Sequence, residues 1–159
     1  MKNPTRIAAS IAAIGLTAGV AVSSIGIAGA AHGGALTEGS FSGRAEVAAD
    51  ATNNRIVGDP NGRGNAYVFS TGEGIVCYVL EVDKIEPATA AHIHAAPTGA
   101  NGPVVVALSP PTTGTSAGCV DTGDAELAAD ITLNSPGDYY VNVHNTTYPG
   151  GAVRAQLGG

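Results

Sequence analysis

No stretch of ten or more residues in this chain carries a helical stripe of apolar side chains. Short apolar runs alternate with turn formers instead, and that pattern bounds the fold more tightly than anything else in it. Ala66–Phe69, Ala91–Ala95 and Val104–Leu108 are runs of strand length, and Phe41–Ala48 alternates weakly. Ile75–Val82 has the continuous apolar centre of a strand buried in the middle of a sheet. Asp138–His144 is the strongest strand signal, and Ala152–Leu157 alternates with a clean period of two. The Pro149-Gly150-Gly151 turn between them predicts a hairpin. Gly58–Gly64 and Pro97–Pro103 carry the Gly, Pro, Asn and Asp residues of tight turns. Ser109–Gly118 reads as an exposed loop, and Glu126–Leu133 fits a short helix or a strand equally. About seven short strands with turns at such spacing predict an all-β, antiparallel, immunoglobulin-like or dismutase-like sandwich or barrel, and they exclude an α/β enzyme fold.

Composition agrees. Gly (23) and Pro (9) make up about a fifth of the 159 residues, against a usual share of roughly 12%, and no collagen-like period accounts for them. The formal net charge of −6 carries no basic footprint for nucleic acid.

Residues 1–30 read as a secretory signal peptide. Lys2 and Arg6 precede an uncharged run, Ile7–Ala30, that closes on the small residues Ala28-Gly29-Ala30. A membrane anchor is the competing reading, but the run is mostly Ala and Gly, and no basic stop-transfer residues follow it. Cleavage after Ala30 or Ala31 is therefore expected, with contact to the membrane only during export. Removing Lys2 and Arg6 takes the basic residues from 7 to 5 against 13 acidic ones, a net charge of −8. Residues 31–37 read as a loose leader and 38–159 as the folded domain. In an exported chain the two cysteines, Cys77 and Cys119, are most simply one disulfide; neither sits in a CxxC pair of the kind sulfur-rich metal sites show.

The chemistry-bearing residues are few. His92 and His94 stand two apart and so share one face of a strand, while His144 closes another strand. If the two strands are neighbours, three imidazoles converge, the donor set of a Zn or Cu site with an open position. The plainer reading, and the preferred one, is that these rings make buried hydrogen bonds tying loops to the sheet. No cofactor is required by the sequence; Cu or Zn is what the metal reading implies. His32 would lie first or second in the mature chain, where an amino-terminal histidine can chelate copper, although a tail residue is the ordinary case. Asp59, Asn61 and Asn101 lack the alternating oxygens of a calcium loop and read as turn residues. Arg154 lies among apolar neighbours and is expected to pair with Glu81 or Asp83 in a stabilising role, with Asn142 also structural. Asn145-Thr146-Thr147 is a formal glycosylation sequon.

Taken together, Pro87–His94, Gly102–Val106, Tyr140–His144 and Pro149–Leu157, with the Asp59–Gly62 turn and Cys77-Tyr78, resemble the CHRD (chordin-type) domain over about Glu38 to Leu157. The resemblance implies an extracellular immunoglobulin-like β-barrel with no established enzymatic activity. Its partner would be an extracellular protein or matrix ligand that the sequence does not identify, and the chain is expected to act as a monomer. A kinship of such domains with copper/zinc superoxide dismutases has been suggested, partly through the HxH strand. That constellation needs further histidines and an Asp ligand, and after His94 this chain offers only His144, so a two-metal dismutase site cannot be assembled. The leading expectation is a secreted, non-enzymatic binding or structural module. A mononuclear metal protein comes second and a dismutase-like enzyme last.

Overall fold

The computed structural model describes residues 35–49 and 56–158; the expected signal peptide, His32 and most of the expected leader fall outside them. Eight antiparallel strands form one sheet that curls into a nearly closed barrel: β1 (Leu36–Ser42), β2 (Arg63–Gly72), β3 (Ile75–Asp83), β4 (Ala90–Ala95), β5 (Val104–Leu108), β6 (Thr115–Asp121), β7 (Tyr139–His144) and β8 (Val153–Gln156). Their order is β5-β4-β7-β8-β1-β2-β3-β6. The two edges, β5 and β6, share no ladder. Side-chain bonds bridge the seam instead: Ser116 Oγ donates to Ser109 O (2.8 Å) and Ser109 N to Tyr78 Oη (2.8 Å).

Strand alternation builds the core. Val68, Leu80, Ile93, Val141, Val143 and Val153 point inward and are fully buried, each contributing about 1.5–3 kcal/mol relative to exposure. One end of the barrel is plugged by the segment whose sequence fitted helix or strand. It is helical: α1 (Ala125–Ala129) runs into a wider turn over Asp130–Asn134. The Asp124 carboxylate caps it by accepting from Glu126 N and Leu127 N, both at 3.0 Å. Ala128 and Ile131, three apart, face the core.

The predicted hairpin is present, with β7 and β8 in register from Tyr140 opposite Gln156 to Val143 opposite Val153. The predicted disulfide joins Cys77 to Cys119, directly opposite each other on β3 and β6 and 42 residues apart in sequence. Two expectations need correction, and the formal sequon is closed by burial. Ser109–Gly118 is not wholly a loop, because Thr115–Gly118 begins β6. Every residue of β6 keeps some exposure, so this edge strand is held by backbone pairing and the disulfide and has no apolar alternation to betray it. The first strand also lies earlier than the Phe41–Ala48 pattern suggested. It starts at Leu36 and gives way after Ser42 to one helical turn at Gly43–Ala45. Finally, Asn145 of the sequon is buried, with its Oδ1 accepting from Tyr148 N (2.8 Å), and is closed to glycosylation in the folded state.

Candidate functional site

Inward placement of Ile93, Val141, Val143 and Val153 forces the intervening residues of β4, β7 and β8 onto the outer face. Cross-strand register sets them in two rows there: His92, Asn142 and Arg154 in one, His94, Tyr140 and Gln156 in the other. His144 lies next to the first row, two residues beyond Asn142. The middle of this face is not solvated, since Tyr140, Asn142 and Arg154 are as buried as the core, while the three histidines and Gln156 keep partial exposure. Two connecting segments cover it, one around Glu46–Ala49 and one at Ala96–Gly102. Asn101 ties them together, its Nδ2 donating to Val47 O (3.1 Å) and Ala48 O (3.3 Å).

Arg154 is the clamp of this layer, and its partners are not the expected ones. Its Nη1 donates to Ala100 O (2.8 Å), and its Nη2 to Pro97 O (3.0 Å) and Gln156 Oε1 (2.8 Å). The guanidinium lies 3.5 Å over the Tyr140 ring. Glu81 and Asp83 alternate onto the outer face of the opposite side of the barrel, out of its reach, and Asp83 pairs with Arg63 at 3.0 Å. Burial lowers the Arg154 pKa, with Tyr140 and Glu46 opposing that shift. Arg154 and Asn142 are both buried in this layer, and the contacts of Arg154 differ from those expected.

The sequence reading passed over Glu46. It is buried, and both carboxyl oxygens accept from Asn142 Nδ2, at 2.7 and 2.9 Å. Desolvation raises its pKa from 4.5 to about 8, against the lowering effects of Arg154 and the Asn142 bond. The only hint in the sequence was a lone acidic residue in the otherwise apolar stretch Ala45–Ala49.

The three imidazoles do converge. β4 and β7 are neighbours, and one ring nitrogen from each of His92, His94 and His144 lies within 4.8 Å of the others, the arrangement among the described residues that could hold a metal ion. The closest pair is His92 Nδ1 and His144 Nε2, at 3.1 Å. Two rings are also fixed from behind: His94 Nδ1 donates to Gly102 O (2.9 Å) and His144 Nδ1 to Pro149 O (3.0 Å). Each therefore presents Nε2 as a bare acceptor. His94 Nε2 and Asn142 Oδ1 are buried and have no hydrogen-bond partner among the described residues. The His94 ring is further held by stacking on Tyr140, with centroids 4.7 Å apart and planes 8° from parallel. Burial lowers the pKa of both His92 and His144, keeping them neutral at pH 7; neighbouring imidazoles add to this, while the Pro149 carbonyl opposes it at His144.

Glycine permits this close approach of loops to sheet. A Cβ on Gly102 would lie 1.9 Å from Ala95 O, and one on Gly151, whose φ is +141°, would strike Asn142 and Glu46 at 2.6 Å. A cleft of about 740 Å³ opens beside the layer, between Val47, Ile56 and Val57 on one wall and His94, Tyr140 and Asn142 on the other.

An eight-stranded antiparallel barrel, stapled by one disulfide and carrying a loop-covered polar face, is the class of protein that these features define. The CHRD domain family model matches residues 38–157, and the chain belongs to that family. No curated protein and no solved structure matches it.

Proposed function

We propose that this chain is an exported CHRD-domain module that acts by binding and not by catalysis, with the outer face of β4, β7 and β8 as its working surface. One observation carries the reading. That face keeps two buried acceptors, His94 Nε2 and Asn142 Oδ1, without partners among the described residues, at a cost of about 1–3 kcal/mol each. A purely structural layer gains by pairing such atoms, whereas a binding face keeps them for its ligand. Two further points support it. The cysteines are paired, as suits an oxidising compartment. Among the described residues, no serine, threonine or cysteine side chain is hydrogen-bonded to a histidine ring, so no nucleophile–base contact of the hydrolase kind is formed there.

The test has two parts. Protein recovered from the culture medium of the producing cells is expected to begin near Ala31; an intact 1–30 segment on protein retained in the cytosol would sink the export half. Matrix polysaccharide and peptide fragments titrated into the labelled protein are expected to shift amide resonances around His94, Tyr140 and Asn142. Shifts confined to β2, β3 and β6, or chemical turnover of a fragment, would overturn the binding half.

A further inference from the structure

We propose that His92, His94 and His144 form a mononuclear site for Zn²⁺ or Cu²⁺, with three neutral imidazole ligands and a fourth position left to water or an exogenous donor. The inference names one ligand of the working face proposed above and rests on that reading only for the face it shares.

Distance is the first argument. Two nitrogens bound about 2.0–2.1 Å from one tetrahedral ion stand about 3.3–3.4 Å apart. His92 Nδ1 and His144 Nε2, at 3.1 Å, are already within a few tenths of that. All three nitrogens lie within 4.8 Å of one another, so no pair must close by more than about 1.5 Å. His92 is the ring of the three with no backbone partner among the described residues, and an imidazole turns easily about its Cβ–Cγ bond.

Protonation is the second. With Nδ1–H held on the Gly102 and Pro149 carbonyls, His94 and His144 are locked in the tautomer that offers an Nε2 lone pair. This is the outer arrangement that orients metal-bound histidines and raises their basicity. The 3.1 Å contact then requires the shared proton to sit on His92 Nδ1. When a metal takes that nitrogen, the proton passes through solvent to Nε2 of the same ring. Three imidazole nitrogens thus reach the ion, and the proton displaced from His92 Nδ1 stays on the same ring.

The third argument is His94 Nε2, buried beside the other two rings and unpaired among the described residues. A structural histidine would have an N–H or hydroxyl against that atom. Among the described residues no carboxylate or thiolate joins the cluster, and an all-imidazole set suits Zn²⁺ and Cu²⁺ over the oxygen-seeking Mg²⁺ and Ca²⁺.

The experiment uses tag-free mature protein stripped of metal and titrated calorimetrically with Zn²⁺ and, separately, Cu²⁺ at pH 7.5. One ion per chain is expected. His94→Gln and His144→Gln should each weaken binding at least about 100-fold, since loss of an outer partner alone costs about 10–100-fold. His32→Ala should change nothing. Imidazole ¹⁵N spectra of the wild type give a readout that does not depend on the variants folding: zinc should move His94 Nε2, His144 Nε2 and His92 Nδ1 together. Failure to take up either ion overturns the site, as does uptake that survives both glutamine variants or leaves those three resonances unmoved. If such protein is still exported and still binds fragments on the same face, the module reading stands and only the metal is lost.

Discussion

The two sides of this barrel solve the same problem in opposite ways. On the side of β2, β3 and β6 the outward residues meet solvent: Arg63 pairs with Asp83 in the open, and the edge strand is stapled by Cys77–Cys119. On the side of β4, β7 and β8 the outward residues are equally polar but lie beneath two connecting segments, bonded to loop carbonyls and to one another. Identical strand alternation produces both. The lesson is that polarity on a strand does not report exposure; what covers the strand decides that. A covered polar face demands complete hydrogen bonding, so the few atoms left unpaired there are the informative ones.

That contrast can be broken most sharply at its two anchors. Replacing both cysteines by serine should cost about 4 kcal/mol, the chain-entropy value for a bridge closing a loop of this length, measured by denaturant unfolding, and should fray β6 first in hydrogen exchange. A loss below about 1 kcal/mol would mean that the backbone ladder alone holds that edge. Arg154→Leu should cost about 3 kcal/mol or more. It strips the Ala100 and Pro97 carbonyls of their donor and removes the cation stacked on Tyr140. Exchange protection should fall along β8 and the 96–102 segment while β2 and β3 stay protected.

Glu46 sharpens the comparison through pH. Its folded pKa of about 8 lies above the ordinary 4.5, so between these values the folded state holds a proton that the unfolded chain has released. Its contribution to stability is fully present below pH 4.5 and is lost as pH rises toward 8. Glu46→Gln, which keeps an acceptor for Asn142, should flatten the stability profile across that window and raise the melting temperature at pH 8. An unchanged slope would show that Glu46 titrates normally. The smallest effect belongs to the open side. Arg63→Ala should cost no more than about 1 kcal/mol and should be insensitive to the loop-covered face, because an exposed ion pair is screened by water.

Much of this was readable from residues alone. The hairpin of β7 and β8, the His92/His94 face and the disulfide followed from period, turn chemistry and cysteine count. The misses share a cause. β6 is Thr, Ser, Ala and Gly over its first half, and an edge strand held by backbone bonds needs no apolar alternation. Arg154 was matched to Glu81 and Asp83 by charge, yet most of its partners are peptide carbonyls, which any sequence offers everywhere. Glu46 lies 96 residues from Asn142, and no local pattern encodes a contact at that separation.

Strand length, alternation and turn residues are local, and they determined that this chain is an antiparallel β domain with His92 and His94 on one face. Whether His144 would join them depended on β4 and β7 being neighbours, and the state of each ring depended on carbonyls from two loops. Those are long-range pairings set by closure of the sheet, and only the tertiary structure decided them. The HxH strand was the same object throughout. The folded chain added two fixed tautomers and one buried nitrogen left without a partner.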